Sequence, residues 1–116
     1  MLFGAGLHPL GEGQARLADY LDDVLSRLAG GALASLNAYF YLTLGRSFTQ
    51  AAVEDPPRAY REATRVMPEG MVRLVFRAML RSLGASPGEV EAALEALRAG
   101  DGSRFLNVAE RALRAR

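Results

Sequence analysis

Arg73, Arg77 and Arg81 stand four residues apart, a spacing that lines three guanidinium groups along one face of a helix. A guanidinium is a planar fork that grips carboxylate or phosphate through two parallel hydrogen bonds. At the helical rise the three groups span roughly 12 Å, about the reach of a few phosphates. Arg58, Arg61 and Arg65 lie on the segment just before and extend the set. The chain has no lysine, so all 14 basic residues are of this bidentate kind. An acidic protein partner or a nucleic acid is the chemistry that such a face suggests.

Intramolecular ion pairing is the competing reading of the same residues. Glu69 precedes Arg73 by four residues, the favourable order for a helical pair, and predicts Arg73–Glu69 pairing. Arg77 and Arg81 have no such partner in their own helix, but Asp19, Asp22, Asp23, Glu91 and Glu95 stand on others. The net charge of +1 conceals an acidic front and a basic middle: residues 58–81 hold six arginines against Glu62 and Glu69. A chain this near neutrality lacks the basic excess of non-specific nucleic-acid binders, which favours ion pairing over nucleic acid.

Other constellations are thin. With no cysteine, disulfides, thiolate catalysis and zinc–thiolate sites are excluded. His8 is the only histidine, and its one nearby acid is Glu12. Gly4, Gly6, Gly11 and Gly13 lack the dinucleotide-binding spacing and follow no strand. Ser26, Ser35, Ser47, Ser82, Ser86 and Ser103 have no convincing base, because the one histidine sits in the terminal arm. No enzyme activity, metal or cofactor is expected. The first six residues lack a positive segment, and the apolar stretch 32–44 is shorter than the ~20 residues of a membrane span. A cytoplasmic protein without a secretory signal or membrane segment is expected.

The elements that would position these residues read as helices throughout. Leu17, Tyr20, Leu21, Val24, Leu25 and Leu28 recur at helical spacing over residues 14–29, which Gly30-Gly31 is expected to end. Residues 32–44 are apolar on nearly every side and predict a helix enclosed by its neighbours or by a second subunit. Residues 46–54 show no clear period and read as a loop or short turn that docks Phe48 and Val53. Asp55-Pro56-Pro57 starts the next helix, Pro68 breaks it and begins another that ends at Gly84, and Ser86-Pro87-Gly88-Glu89 is a capping box. Gly100 closes that helix, and a last one follows Asp101-Gly102-Ser103. The corner at Pro68 lacks the glycine-centred turn of a helix-turn-helix, and no Asn or Gln stands there to read bases. The expected fold is all-α: a compact bundle of five to six short helices with Gly/Pro turns, formed by residues 14–116 behind an irregular apolar arm, residues 1–13.

That arm carries Leu2, Phe3, Leu7 and Leu10, and Tyr39-Phe40-Tyr41 points aromatics in three directions. Leu2, Phe3, Leu7, Tyr39 and Tyr41 are therefore candidate contacts with a second copy. An apolar ligand pocket around Tyr39, Phe40 and Tyr60 is a further reading.

From Tyr39 the chain runs through a tyrosine-rich helix ending near Gly45, Asp55-Pro56 opening a helix with Tyr60, a break at Pro68 to Gly70, and an apolar helix ending in Leu83. This pattern resembles the archaeal helical nitrosopumilus output domain type, found attached to regulators or standing alone. The chain has Pro68-Glu69 where that family more often carries Phe-Gly. The resemblance covers less than half of the chain, transfers no functional residue and implies a regulatory or interaction role. Together these readings predict a non-enzymatic helical homodimer acting through protein contacts, with nucleic-acid or small-ligand binding as the alternatives.

Overall fold

Short-range chemistry places most of the helix ends. The computed structural model describes residues 10–115, which form α1 (Glu12–Leu44), α2 (Phe48–Glu54), α3 (Pro56–Ala63), α4 (Glu69–Ser82), α5 (Pro87–Arg98) and α6 (Ser103–Arg114). No strand occurs among the described residues, so the chain is all-α as expected. Asp55 Oδ1 accepts the Arg58 N–H at 3.4 Å and opens α3 in front of Pro56. Ser86 Oγ accepts the Glu89 N–H at 3.2 Å while Glu89 Oε1 accepts the Ser86 N–H at 2.8 Å, the reciprocal box that opens α5. Gly45, Gly84 and Gly100 take φ of 70°, 94° and 92° beyond the ends of α1, α4 and α5, where a side chain would be strained.

Two elements refine the sequence reading. The break expected at Gly30-Gly31 is present, but helical geometry is lost one residue earlier, at Ala29 (φ −152°, ψ 52°), so that α1 is two helical limbs meeting across a kink. Neither glycine takes a positive φ, so the left-handed stop is not used. Residues 46–54 are not a loop but contain α2, which opens with its own capping box, Ser47 Oγ accepting from Gln50 N–H at 3.2 Å and Gln50 Oε1 from Ser47 N–H at 3.0 Å. Phe48 and Val53 do dock, both fully buried.

Helix α2 spans the bend. Ahead of Ala29, Asp22 Oδ1 accepts the Thr49 hydroxyl at 3.3 Å; beyond it, Asn37 Oδ1 accepts the Phe48 N–H at 2.8 Å. One short helix is thus tied to both limbs of α1, and the Asn37 bond satisfies an N-terminal donor of α2 that would otherwise be orphaned.

Phe40, Phe48, Phe76 and Phe105 form the interior, each with no exposed surface. Their rings meet edge to face: Phe40–Phe48 at 5.2 Å, Phe48–Phe76 at 5.6 Å and Phe76–Phe105 at 5.9 Å between centroids, with Tyr60 on Phe76 at 5.3 Å. Helix α4 therefore presents Phe76 to rings from α2, α3 and α6. At the periphery, the Tyr20 hydroxyl donates to the Ser82 carbonyl at 3.0 Å and joins α1 to the end of α4. Gly102 is glycine for space: a Cβ there would lie 2.7 Å from Pro57 Cδ, so α6 begins against the start of α3.

Replacing the ring at the centre of these contacts should be severe. Phe76→Ala is expected to lose about 3–5 kcal/mol in urea unfolding, from lost burial plus a cavity the neighbouring rings cannot close. That is a large part of the ~5–15 kcal/mol that holds an ordinary domain folded. A loss below about 1 kcal/mol, the ordinary surface range, would show that Phe76 is not the centre of the core.

Candidate functional site

Helix α4 turns Val72, Val75, Phe76, Met79 and Leu80 inward, which sets its arginines at the border facing α5. Arg73 lies 3.5 Å from Glu91 and 3.3 Å from Glu95, and Arg77 reaches the second oxygen of Glu91 at 3.0 Å. One α5 carboxylate is therefore shared by two successive rungs of the arginine ladder. The predicted Arg73–Glu69 pair does not form. Glu69 Oε2 instead accepts the Tyr60 hydroxyl at 2.8 Å and lies 3.5 Å from Arg98 Nε. Tyr60 is buried and its hydroxyl must be satisfied, whereas Arg73 finds two acids on α5.

Two of the first-helix acids are engaged elsewhere, Asp22 with Thr49 and Asp23 with Arg27 at 3.1 Å, and Asp19 forms no ion pair with the ladder. Arg65, just past α3, is 3.6 Å from Glu62, which also accepts the Tyr39 hydroxyl at 2.8 Å. Arg58, Arg61 and Arg81 are exposed and make no ion pair with the described residues. The six arginines thus do not form one binding face: Arg73 and Arg77 fasten α4 to α5, while the others are distributed around α3 and the end of α4.

Burial and then the hydrogen bond to Glu69 raise the Tyr60 pKa, and the bond to Glu62 raises that of Tyr39. Both hydroxyls are proton donors to carboxylates across the neutral range. Burial pulls the Arg73 guanidinium down, but the Tyr60 hydroxyl, Glu95 and Glu91 outweigh it and hold its pKa up.

A polar cleft of about 130 Å³ lies between α5 and α6, lined by Glu89, Arg104, Asn107, Val108 and Arg111. Arg111 grips Glu89 with both nitrogens, at 2.7 and 2.9 Å. That clamp, with the Ser86 N–H behind it, lowers the Glu89 pKa from 4.5 to about 2. The cleft therefore neutralises its own principal charge. Sequence reasoning finds Glu89 only as a capping residue, because a partner on another helix leaves no periodic trace.

The outer side of the second limb of α1 has a different character. The sequence predicts enclosure, and Leu33, Leu36 and Phe40 are indeed buried. Tyr41 and Leu42 on its other side are 57% and 89% exposed, and Leu28 just before the bend is 69% exposed. Enclosure therefore holds for one side only, because the core closes over the buried side without covering the other. Between Arg27 and Arg46 the chain has no charged residue. Ala34, Ser35 and Ala38 complete an exposed helical face with neither charge nor long polar side chain. Of the residues expected at an interface, Tyr41 lies on this face. Tyr39 does not: it is half-buried, rests on Phe40 at 5.8 Å and donates to Glu62. Leu2, Phe3 and Leu7 lie outside the described residues, as does His8. Of the residues expected around a ligand pocket, Phe40 and Tyr60 are buried among the edge-to-face rings and Tyr39 is half-buried.

Among the described residues no group of three or more His, Asp or Glu side chains is placed to hold a metal, and no helix is long and apolar enough to cross a membrane. The Glu89–Arg111 clamp predicts a specific acid response. The Glu89 pKa is depressed in the fold, so its contribution to stability is complete above pH 4.5 and is lost as pH falls towards about 2. The melting-temperature gap between the wild type and Arg111→Leu should be constant above about pH 5 and close over that window. A gap independent of pH would mean that Arg111 stabilises by packing alone. Comparison with protein-family models, curated proteins and solved structures finds no match to this chain, so its functional reading rests on its own residues.

Proposed function

We propose that the protein acts through protein–protein contact rather than catalysis, and that its partner is a second copy of itself. The supporting observation is the exposed, uncharged face of the second limb of α1, with Tyr41 and Leu42 upon it. A surface helix ordinarily shows charged or polar groups to water, as α5 does with Glu91, Glu95 and Arg98. An apolar patch that departs from this pattern marks an interaction site.

Magnitudes set the strength of the association. Burying Leu42 on two copies is worth on the order of 3–6 kcal/mol, at about 1.5–3 kcal/mol per fully buried leucine. Association itself costs about 4–15 kcal/mol. A dimer held by this face is therefore at most weak, exchanging with folded monomers, and depends on the contacts around Leu42 as well.

Binding of nucleic acid has less support, since Arg73 and Arg77 already meet Glu91 and Glu95. Light scattering over a concentration series is the direct test. The mean mass should rise towards twice 12.5 kDa in the wild type and stay at the monomer value in Leu42→Glu, with the circular dichroism unchanged. A wild type that stays monomeric at every concentration would remove the reading. Binding of duplex probes that weakens steeply with salt would favour the nucleic-acid alternative.

A further inference from the structure

We infer that the first limb of α1, residues 12–28, is an exchangeable element: α1 straightens at Ala29, and the limbs of two copies trade seats to give a swapped dimer. The inference is independent of the exposed face of the second limb. Its seat is the one the first limb already fills, so the structure itself shows what occupies it. Leu17, Ala18, Leu21 and Leu25 enter the core from that limb. At its borders the Tyr20 hydroxyl donates to the Ser82 carbonyl at 3.0 Å, the Thr49 hydroxyl donates to Asp22 at 3.3 Å, and Gly13 lies against Leu113. Ser82, Thr49 and Leu113 stand on α4, α2 and α6, not on the second limb of α1. These contacts therefore re-form unchanged with a limb from another copy.

The bend makes the exchange available. Ala29 is the one non-helical residue within the 33 residues of α1. Nothing local requires the break: residues 28–32 include no proline, and neither glycine takes a positive φ. The residue that leaves helical geometry is alanine, the strongest helix former. Gly30-Gly31 soften the helix beside it without locking the kink. The bend is held from outside by α2, which bonds to Asp22 on one limb and Asn37 on the other.

Length turns straightening into exchange. A continuous helix of 33 residues measures about 50 Å, against 43 Å for the greatest extent of the subunit. A straight α1 thus carries its first limb off its own subunit, while the Asn37 bond and the Phe40–Phe48 contact keep the second limb in place. Limb and seat then both show apolar surface to water, and a second copy in the same state covers both. Closed and swapped forms share these contacts, so the tethered limb competes at an effective concentration on the order of millimolar. Exchange is slow, because the limb must first leave the core.

The test starts from protein refolded out of urea at about 1 mM and separated by gel filtration. A dimer that survives dilution should appear, in equal amount in the wild type and in Leu42→Glu. Ala29→Gly should weaken that dimer about thirtyfold, the helix penalty of two glycines. The chain has no cysteine, so a designed pair reports the exchange directly. A Cβ at Gly13 lies 3.3 Å from Leu113 Cδ1, which brings the thiols of a Gly13→Cys, Leu113→Cys protein within reach of each other. Oxidation of its isolated dimer should give covalent dimers in denaturing electrophoresis, and oxidation of its monomer only monomers. An isolated dimer that yields covalent monomers would overturn the exchange. So would the absence of any dilution-resistant dimer in both the wild type and the cysteine variant. A rapidly exchanging dimer that Leu42→Glu abolishes, found in its place, would leave the reading of the exposed face standing and reject the exchange alone.

Discussion

Phe76 receives edge-to-face contacts from Phe48, Tyr60 and Phe105, which stand on three different helices. Edge-to-face pairing is directional, so each contact limits the angle as well as the distance at which its helix can approach. Helix α2 must bring Phe48 to that ring while Phe48 also meets Phe40 of α1. It does so by lying across the bend at Ala29, where Asp22 and Asn37 hold its first turn. The bend in the longest helix thus lets α2 bond to both limbs while Phe48 meets Phe40 and Phe76.

The polar layer follows from the apolar one. With α4 turned so that Phe76 points inward, Arg73 and Arg77 border α5, and Glu91 and Glu95 lie within reach. Exposed ion pairs contribute only about 0–1 kcal/mol each, while removing a buried ring costs about 3–5 kcal/mol. Buried side chains, Phe76 on α4 and Val90, Leu94 and Leu97 on α5, thus decide where these helices lie, and the arginines register them. The same ordering explains why Glu69 serves the buried Tyr60 hydroxyl instead of the arginine one turn away.

Features encoded within a few residues are legible in the sequence. The Ser86–Glu89 box, the Asp55-Pro56 start, the stops at Gly45, Gly84 and Gly100, and the inward faces of α4 and α5 can all be read from spacing and turn chemistry. The break beside Gly30-Gly31 is legible as well, although it falls at a non-helical Ala29 and not in a left-handed glycine. Helix α2 escapes a reading by period because seven residues buried on almost every side show no amphipathic pattern, although Ser47 and Gln50 spell its cap. Ion-pair partners such as Glu89 and Arg111, or Arg73 and Glu91, depend on helices brought together by the core and leave no trace in local spacing. Tyr41 is legible as a boundary residue, but the bare face around it emerges only once Leu33, Leu36 and Phe40 are seen to share the opposite side.

What distinguishes this molecule is that its core closes within one subunit, yet one limb of α1 shows water a face with no charge. We read that face as a reversible seat for a second copy, and the arginine ladder as internal fastening. The most direct measurement is a dilution series followed by backbone amide resonances. Concentration-dependent shifts should centre on Gly31, Ser35, Ala38 and Leu42, and leave Arg73, Arg77 and the α5–α6 clamp unmoved. Resonances of α1 that stay constant with concentration, or shifts centred on the arginines of α3 and α4, would contradict it.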